Sequence, residues 1–257
     1  VNDVWRADFA ATPPFAHLRA WAEGLAGDDW PELSRLNHQA STANPINAHG
    51  TPIRFQTQER RCGQRDYEAG ILATGVVPTR ESNWHDLLNA LTWLAFPRAK
   101  AALNEVQCQC LGLGQARGPV SDAATLFDES GLILAGPDEN LGRLLARRQW
   151  GQAFVKHRPA WREVHAYVIG HAVLEKLLAP WPGITAKCLF VRMEIPADES
   201  GYAASVDSTV AEIWRSGAIT QPAELLPLPV LGIPGWWPAN ENPDFYENRD
   251  VFRPARN

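Results

Sequence analysis

The chain has 257 residues, 45% of them hydrophobic, with 24 Lys and Arg against 29 Asp and Glu for a net charge of -5. That length and apolar content can bury a substantial core. The basic residues are scattered and form no stripe, so no nucleic-acid partner is expected.

Every apolar run is interrupted well before the roughly 20 residues of a membrane span, so no membrane partner is expected either. The opening "VNDVWRADFAATPPF" lacks a basic segment followed by an apolar core, so no secretory signal is visible and a cytoplasmic location is expected. Four cysteines, Cys62, Cys108, Cys110 and Cys188, are spaced too irregularly for a disulfide framework. The pair in "CQC" offers two thiolates to a metal but lacks the partner knuckle of a structural zinc site, and buried reduced thiols are the simpler reading.

In chain order, "FAHLRAWAEGL" repeats Leu18, Trp21, Ala22 and Leu25 at helical spacing. "DDWPELSRLNHQA" starts a second helix, with Asp29 as N-cap and Pro31 in its first turn. "PIRFQTQ" reads as a strand, and "RDYEAGILATGVVPTR", punctuated by Gly70, Gly75 and Pro78, as an extended stretch. A helix follows from Asn83, with Leu87, Leu88, Leu91, Leu94 and Ala95 as its apolar stripe, and Phe96-Pro97 ends or kinks it before "RAKAALNEVQ".

"ATLFDESGLILAG" reads as a β-hairpin turning at Asp128-Glu129-Ser130-Gly131. "ENLGRLLARRQWGQAFV" and "PAWREVHAYVIGHAVLEKLLAP" carry helical periodicity, the second for about five turns to Pro180. "TAKCLFVRMEIP" alternates as a strand with one apolar face. "SVDSTVAEIWRSG" is a helix starting at Ser205 or Asp207 and ended by Gly217. From Gln221 on the chain has no period, but Trp236, Trp237, Phe245, Tyr246 and Phe252 are too apolar for a disordered tail. The expected fold is α+β: a helix-rich single domain with a small mixed or antiparallel sheet. It comprises N-terminal helices (1–45), an α+β body (46–220) and an ordered, proline-rich, wrapping C-terminal arm (221–257).

The segments "NWHDLLNALTWLAFPRAKAALN", "TLFDESG", "GHAVLEKLLAP" and "PLPVLGIPGWWPANENPDFYENRDVFRP" together closely resemble the bacterial family catalogued as domain of unknown function 3025. The resemblance extends over nearly the whole chain. It implies a bacterial, single-domain, full-length protein and brings with it no activity and no catalytic residues.

Several residues can carry chemistry. Asn83 and Asp86 have the spacing of a capping box. His85 and Asn89 share one helix face, and so do His171 and Glu175, beside a Gly170 that lets another element approach closely. Two such helices can enclose a divalent metal such as zinc, manganese or iron, with Asp128 or Glu129 completing the set and an open position for activated water. In that arrangement His85, His171, Glu175 and Asn89 are the ligands, Asp86 or Asp128 the ligand or base, and Arg80 a clamp on a small anionic substrate. The structural alternative makes His85 a buried imidazole on a backbone carbonyl, His171 with Glu175 an exposed intrahelical pair, and Arg80 a salt-bridge partner.

No Gly-x-Ser-x-Gly elbow, dinucleotide fingerprint or phosphate-binding Gly-Lys loop occurs. Among the eleven tryptophans, Trp84 can floor and Trp236 with Trp237 lid a small-molecule cleft. Two functions are thus compatible with the sequence: a metal-assisted hydrolase, or a non-catalytic binding or assembly module using the Trp-rich arm. Oligomeric state is open between them.

Overall fold

The computed structural model describes residues 4–58, 63–112 (110–112 by backbone alone), 118–199 and 201–255. Two 3-10 turns, Phe9–Ala11 and Pro13–Leu18, lead into α1 (Arg19–Glu23) and α2 (Leu33–Ala43). The N-cap of α2 is Glu32 in extended backbone, not Asp29. Pro31 restricts the residue before it to extended conformations, which delays the helix.

After β1 (Arg54–Thr57), the stretch read as extended is instead α3 (Gln64–Thr74). Gly70 interrupts nothing, because its α-carbon faces open space. Gly75 does end the helix, at φ 68°, where a Cβ would stand 2.2 Å from the Pro52 carbonyl oxygen. β2 (Val76–Thr79) then pairs in parallel with β1.

α4 (Trp84–Ala95) starts and stops where its sequence demands. The Asn83 side chain accepts a hydrogen bond from the Asp86 amide at 3.1 Å, and the helix ends at Phe96. Only this half of the capping box forms, since the Asp86 carboxylate accepts instead from the Arg80 amide and guanidinium. Asn83→Ala should therefore cost about 1 kcal/mol, read from a denaturant melt.

Pro97 opens α5 (Pro97–Gly112). Its first amides, Arg98 and Ala99, donate at 3.0 and 2.8 Å to the buried carboxylate of Asp207. Asp207 thus caps a neighbouring helix rather than starting its own.

α6 (Pro119–Ser130) runs through the residues read as a hairpin turn and passes directly into β3 (Gly131–Gly136). Asp-Glu-Ser-Gly has turn composition, but Ala123, Ala124 and Phe127 bury one helical face up to that point. Gly131 is in extended backbone at φ -71°, ψ 141°. α7 (Glu139–Ala146) is capped by Asp138.

The expected five-turn helix resolves into a 3-10 turn (Arg158–Glu163), β4 (His165–Val168) and α8 (His171–Leu177). A four-residue, half-buried edge strand is too short for periodicity to separate it from a helix. β5 (Thr185–Arg192) and α9 (Tyr202–Arg215) follow, α9 beginning before either expected start. β6 (Leu226–Pro229) is a strand within the stretch that has no sequence period.

The main sheet has the order β4-β3-β5-β6, with β3 and β5 parallel and both outer strands antiparallel to their neighbours. Alternation sends Leu132, Leu134, Val168, Ala186, Cys188 and Leu228 to a core shared with α4, α8 and the arm. Ile133, Ala135, Tyr167, Ile169, Leu189 and Val191 join a second core with α5, α6 and α9. β5 is therefore covered on both faces, not one, which is how a strand in the middle of a layered fold is stabilised.

The arm is ordered, as its aromatic content requires. Tyr246 and Phe252 are buried against Phe154, at centroid distances of 5.0 and 5.9 Å. The Asn240 amide donates to the Leu231 and Ile233 carbonyls. Prolines 227 and 229 sit on the sheet edge, where a missing N–H costs no ladder bond. Trp236 and Trp237 line an apolar cleft with Phe9 and Phe15. Trp84 is not its floor, because it is buried beneath Trp5 and Trp30, with centroids 5.2 and 4.9 Å away.

Candidate metal centre

Three helices bring their ends together at one point. His85 is the second residue of α4, His171 the first of α8, and Glu129 the last but one of α6. Gly170 makes this possible: a Cβ there would lie 2.3 Å from the Gly131 amide nitrogen, so only glycine lets α8 start against the end of α6. The two imidazoles meet edge to face with centroids 4.4 Å apart, and His171 Nε2 lies 3.5 Å from Glu129 Oε2.

One donor atom each from His85, Glu129 and His171 lie within 4.8 Å of one another. Among the described residues this is the one His/Cys/Asp/Glu group able to hold a metal ion. Ligands about 2.0–2.1 Å from one tetrahedral ion stand roughly 3.4 Å apart, so the side chains need draw in by only about 1.4 Å at most.

The histidines are prepared differently. His85 is partly exposed, and its Nδ1 is 3.0 Å from Glu175 Oε2. An ionised carboxylate only accepts, so Nδ1 is the nitrogen that donates and Nε2 is the one turned to the cluster side for a ligand. His171 is 4% exposed and its Nδ1 has no hydrogen-bond partner. A buried unpartnered nitrogen is costly and calls for an explanation.

The residues singled out by sequence divide accordingly. His85 and His171 come together, and Glu175 stands behind His85 rather than pairing along its own helix. Asn89, expected as a ligand, has both amide atoms in use: Nδ2 donates to the Tyr67 hydroxyl at 3.1 Å, and Oδ1 accepts from Lys100 Nζ at 2.8 Å. Asp128 is ion-paired with buried Lys100, so its neighbour Glu129 faces His171 instead. Asp86 is held in a two-point contact by Arg80, at 3.0 and 2.7 Å. In the "CQC" pair, the side chain of Cys110 lies outside the described residues, as does Cys62. Burial pushes the Cys108 thiol up to about 11, which disfavours the thiolate a metal needs.

The cluster opens on a cleft of about 390 Å³ whose walls include Tyr67, Glu68, Arg80, Asp128 and Thr125. Burial opposes the charge on Glu129. The hydrogen bond to His171, with the positive charges of His171, His85 and Lys100, outweighs it and brings the carboxyl down to about 2. Glu68 goes the other way: burial and the charge of Asp128 raise it to about 7, against the Asn104 amide, Lys100 and His171. Burial, with the charges of Glu68, Asp128 and Asp86, raises the Tyr67 phenol so that it stays protonated.

Sequence reading missed Tyr67 and Glu68 because they lie on the helix taken as extended. It missed Lys100 because a lysine in "RAKAALN" looks like a solvated one.

Glu68 has a measurable consequence. Its folded-state pKa is above the ordinary 4.5, so the folded protein holds this proton more tightly than the unfolded chain. Its contribution is therefore most favourable below about pH 4.5 and declines as pH rises to about 7. Glu68→Gln should flatten that decline, so that the variant's melting temperature falls less than wild type's between about pH 5 and pH 8. Parallel melting curves for the two proteins would contradict it.

The chain belongs to the family described as Protein of unknown function (DUF3025), which matches residues 53–256 and so contains the whole cluster. No curated protein and no solved structure matches it. Among the described residues no helix is long and apolar enough to cross a membrane.

Proposed function

We propose that this chain is a metal-dependent hydrolase in which His85, His171 and Glu129 hold one divalent ion, zinc, manganese or iron, at the inner end of the 390 Å³ cleft. The observation that carries the reading is the convergence of three donor atoms within 4.8 Å from three separate helices. His171 supports it by presenting Nε2 to Glu129 at 3.5 Å from a ring that is 4% exposed. Two imidazoles and a carboxylate are the donor set of catalytic zinc, and they leave a position for water. An ion held there would supply a bound water able to ionise near neutral pH and attack an electrophilic centre.

Asp86 and Asp128 are both neutralised by cations, whereas among the described residues the Glu68 side chain has the Asn104 amide as its hydrogen-bond partner, at 2.7 Å, and no ion pair. Glu68, held near neutrality, is therefore the group suited to accept the water's proton and return it to the leaving group. Arg80, half exposed at the rim, has N–H groups beyond those bonded to Asp86 and can bind an anionic substituent of the substrate.

Glu175 orients His85 as a carboxylate behind a metal-bound imidazole does. Glu175→Gln should weaken metal binding by about 10–100-fold while leaving the fold intact, as titration calorimetry would show. The function itself is tested by loading metal-free protein with zinc, manganese or iron(II) and presenting phosphoester, carboxylester and amide substrates. Turnover that chelation abolishes and metal restores is expected in at least one loaded form. Its absence from all of them would contradict a hydrolase.

A further inference from the structure

We infer that a second cleft, sharing no lining residue with the metal centre, binds a small multiply charged anion bearing phosphate or carboxylate groups. It has a volume of about 750 Å³ and lies where the end of the C-terminal arm crosses β5 and β6. Arg148 and Arg253 both line it.

Two restraints place these arginines side by side. Arg148 is in the left-handed backbone region at φ 51°, uncommon for a residue with a side chain, directly after the end of α7. Its Nη1 donates to the Pro254 carbonyl at 3.4 Å, and the Trp150 indole donates to the Arg253 carbonyl at 2.8 Å. The arm is thereby fixed with Arg253 beside Arg148.

The cleft carries two guanidiniums against one carboxylate, that of Asp250, which also lines it but is ion-paired with neither arginine. Each guanidinium has five N–H donors. Arg148 uses one on Pro254, and Arg253 uses one on the Asp250 carbonyl at 3.2 Å. Neither forms an ion pair with a described carboxylate. The Lys187 ammonium, also without such a pair, is pushed below its ordinary value by burial and by the charge of Arg148. Like charges brought together in a chain of net charge -5 repel unless an anion joins them.

The remaining walls suit that ligand. Pro227 and Pro229 contribute rigid apolar surface with no N–H, so the donors are left to the arginines. Thr185 adds a hydroxyl whose own bond, to the Gly183 carbonyl, is long at 3.4 Å. Paired planar forks recognise phosphate and carboxylate oxygens two at a time, which a single lysine does not.

The test is titration calorimetry of the full-length, metal-free protein with inorganic pyrophosphate and, separately, with citrate, in about 150 mM salt. Saturable binding of at least one is expected, and which of them binds assigns the ligand to phosphate or carboxylate chemistry. Arg148→Gln and Arg253→Gln should each weaken binding about tenfold or more. Arg253 is exposed, so its variant keeps the fold even if Arg148→Gln disturbs the arm. His171→Ala should leave binding unchanged, which separates this site from the metal centre. No saturable binding of either anion, or binding that survives both arginine substitutions, would overturn the proposal.

Discussion

His171→Ala is expected to lower divalent-metal affinity by about 100-fold or more, because losing a ligand costs at least as much as the most severe losses of an outer-shell partner. The same substitution should barely change the melting temperature of the metal-free protein. His171 is buried but its Nδ1 is unpartnered, so the small cavity left by alanine is offset by removal of an unsatisfied polar atom. The two effects together distinguish a ligand from a core residue. A metal present at about 100 times its Kd stabilises the folded wild type by about 2.7 kcal/mol, a rise of roughly 5–10 °C for a chain of this size. The variant should keep at most about 0.4 kcal/mol of that, a rise of roughly 1–2 °C. A variant that gains the same increment, or that loses its fold without metal, would assign His171 to packing alone.

Lys100→Met is expected to have the largest effect on stability, a loss of about 3–5 kcal/mol. Lys100 is 3% exposed on its side chain, ion-paired with Asp128 and bonded to Asn89 Oδ1 at 2.8 Å. Its ammonium also lies 5.6 Å from the centre of the Trp93 ring. Methionine fills the same volume but leaves the Asp128 charge and the Asn89 carbonyl oxygen without their donor, and breaking one side of a buried pair costs more than removing both. Lys100→Met combined with Asp128→Leu should therefore recover a large part of the loss in a denaturant melt. A single-variant loss below about 1 kcal/mol would mean that solvent reaches the pair.

What the sequence made legible were features whose physics is local. The start of α4 is written in Asn83 and its end in Phe96-Pro97, and its leucines recur on one face. His85 and His171 stand out because a histidine beside a glycine or a cap is not needed to build a helix. The parts that stayed hidden depend on contacts distant in sequence. The end of α6 carries turn residues, and only its buried face of Ala123, Ala124 and Phe127 keeps it helical up to β3. β4 is too short for its period to be read, and its strand character comes from pairing with β3. Glu129 rather than Asp128 reaches His171 because Gly131 and Gly170 come into contact, which neither segment discloses alone. Lys100 became a buried partner of Asn89 and Asp128 for the same reason, and so took Asn89 out of the ligand set.

The central claim is that His85, Glu129 and His171 hold a metal. Elemental mass spectrometry of the full-length protein, prepared without a histidine tag and dialysed after supplementation with zinc, manganese and iron, tests it most directly. One of these metals at close to one ion per chain, lost in His171→Ala, is the predicted result. Metal-free wild type after that supplementation would contradict it.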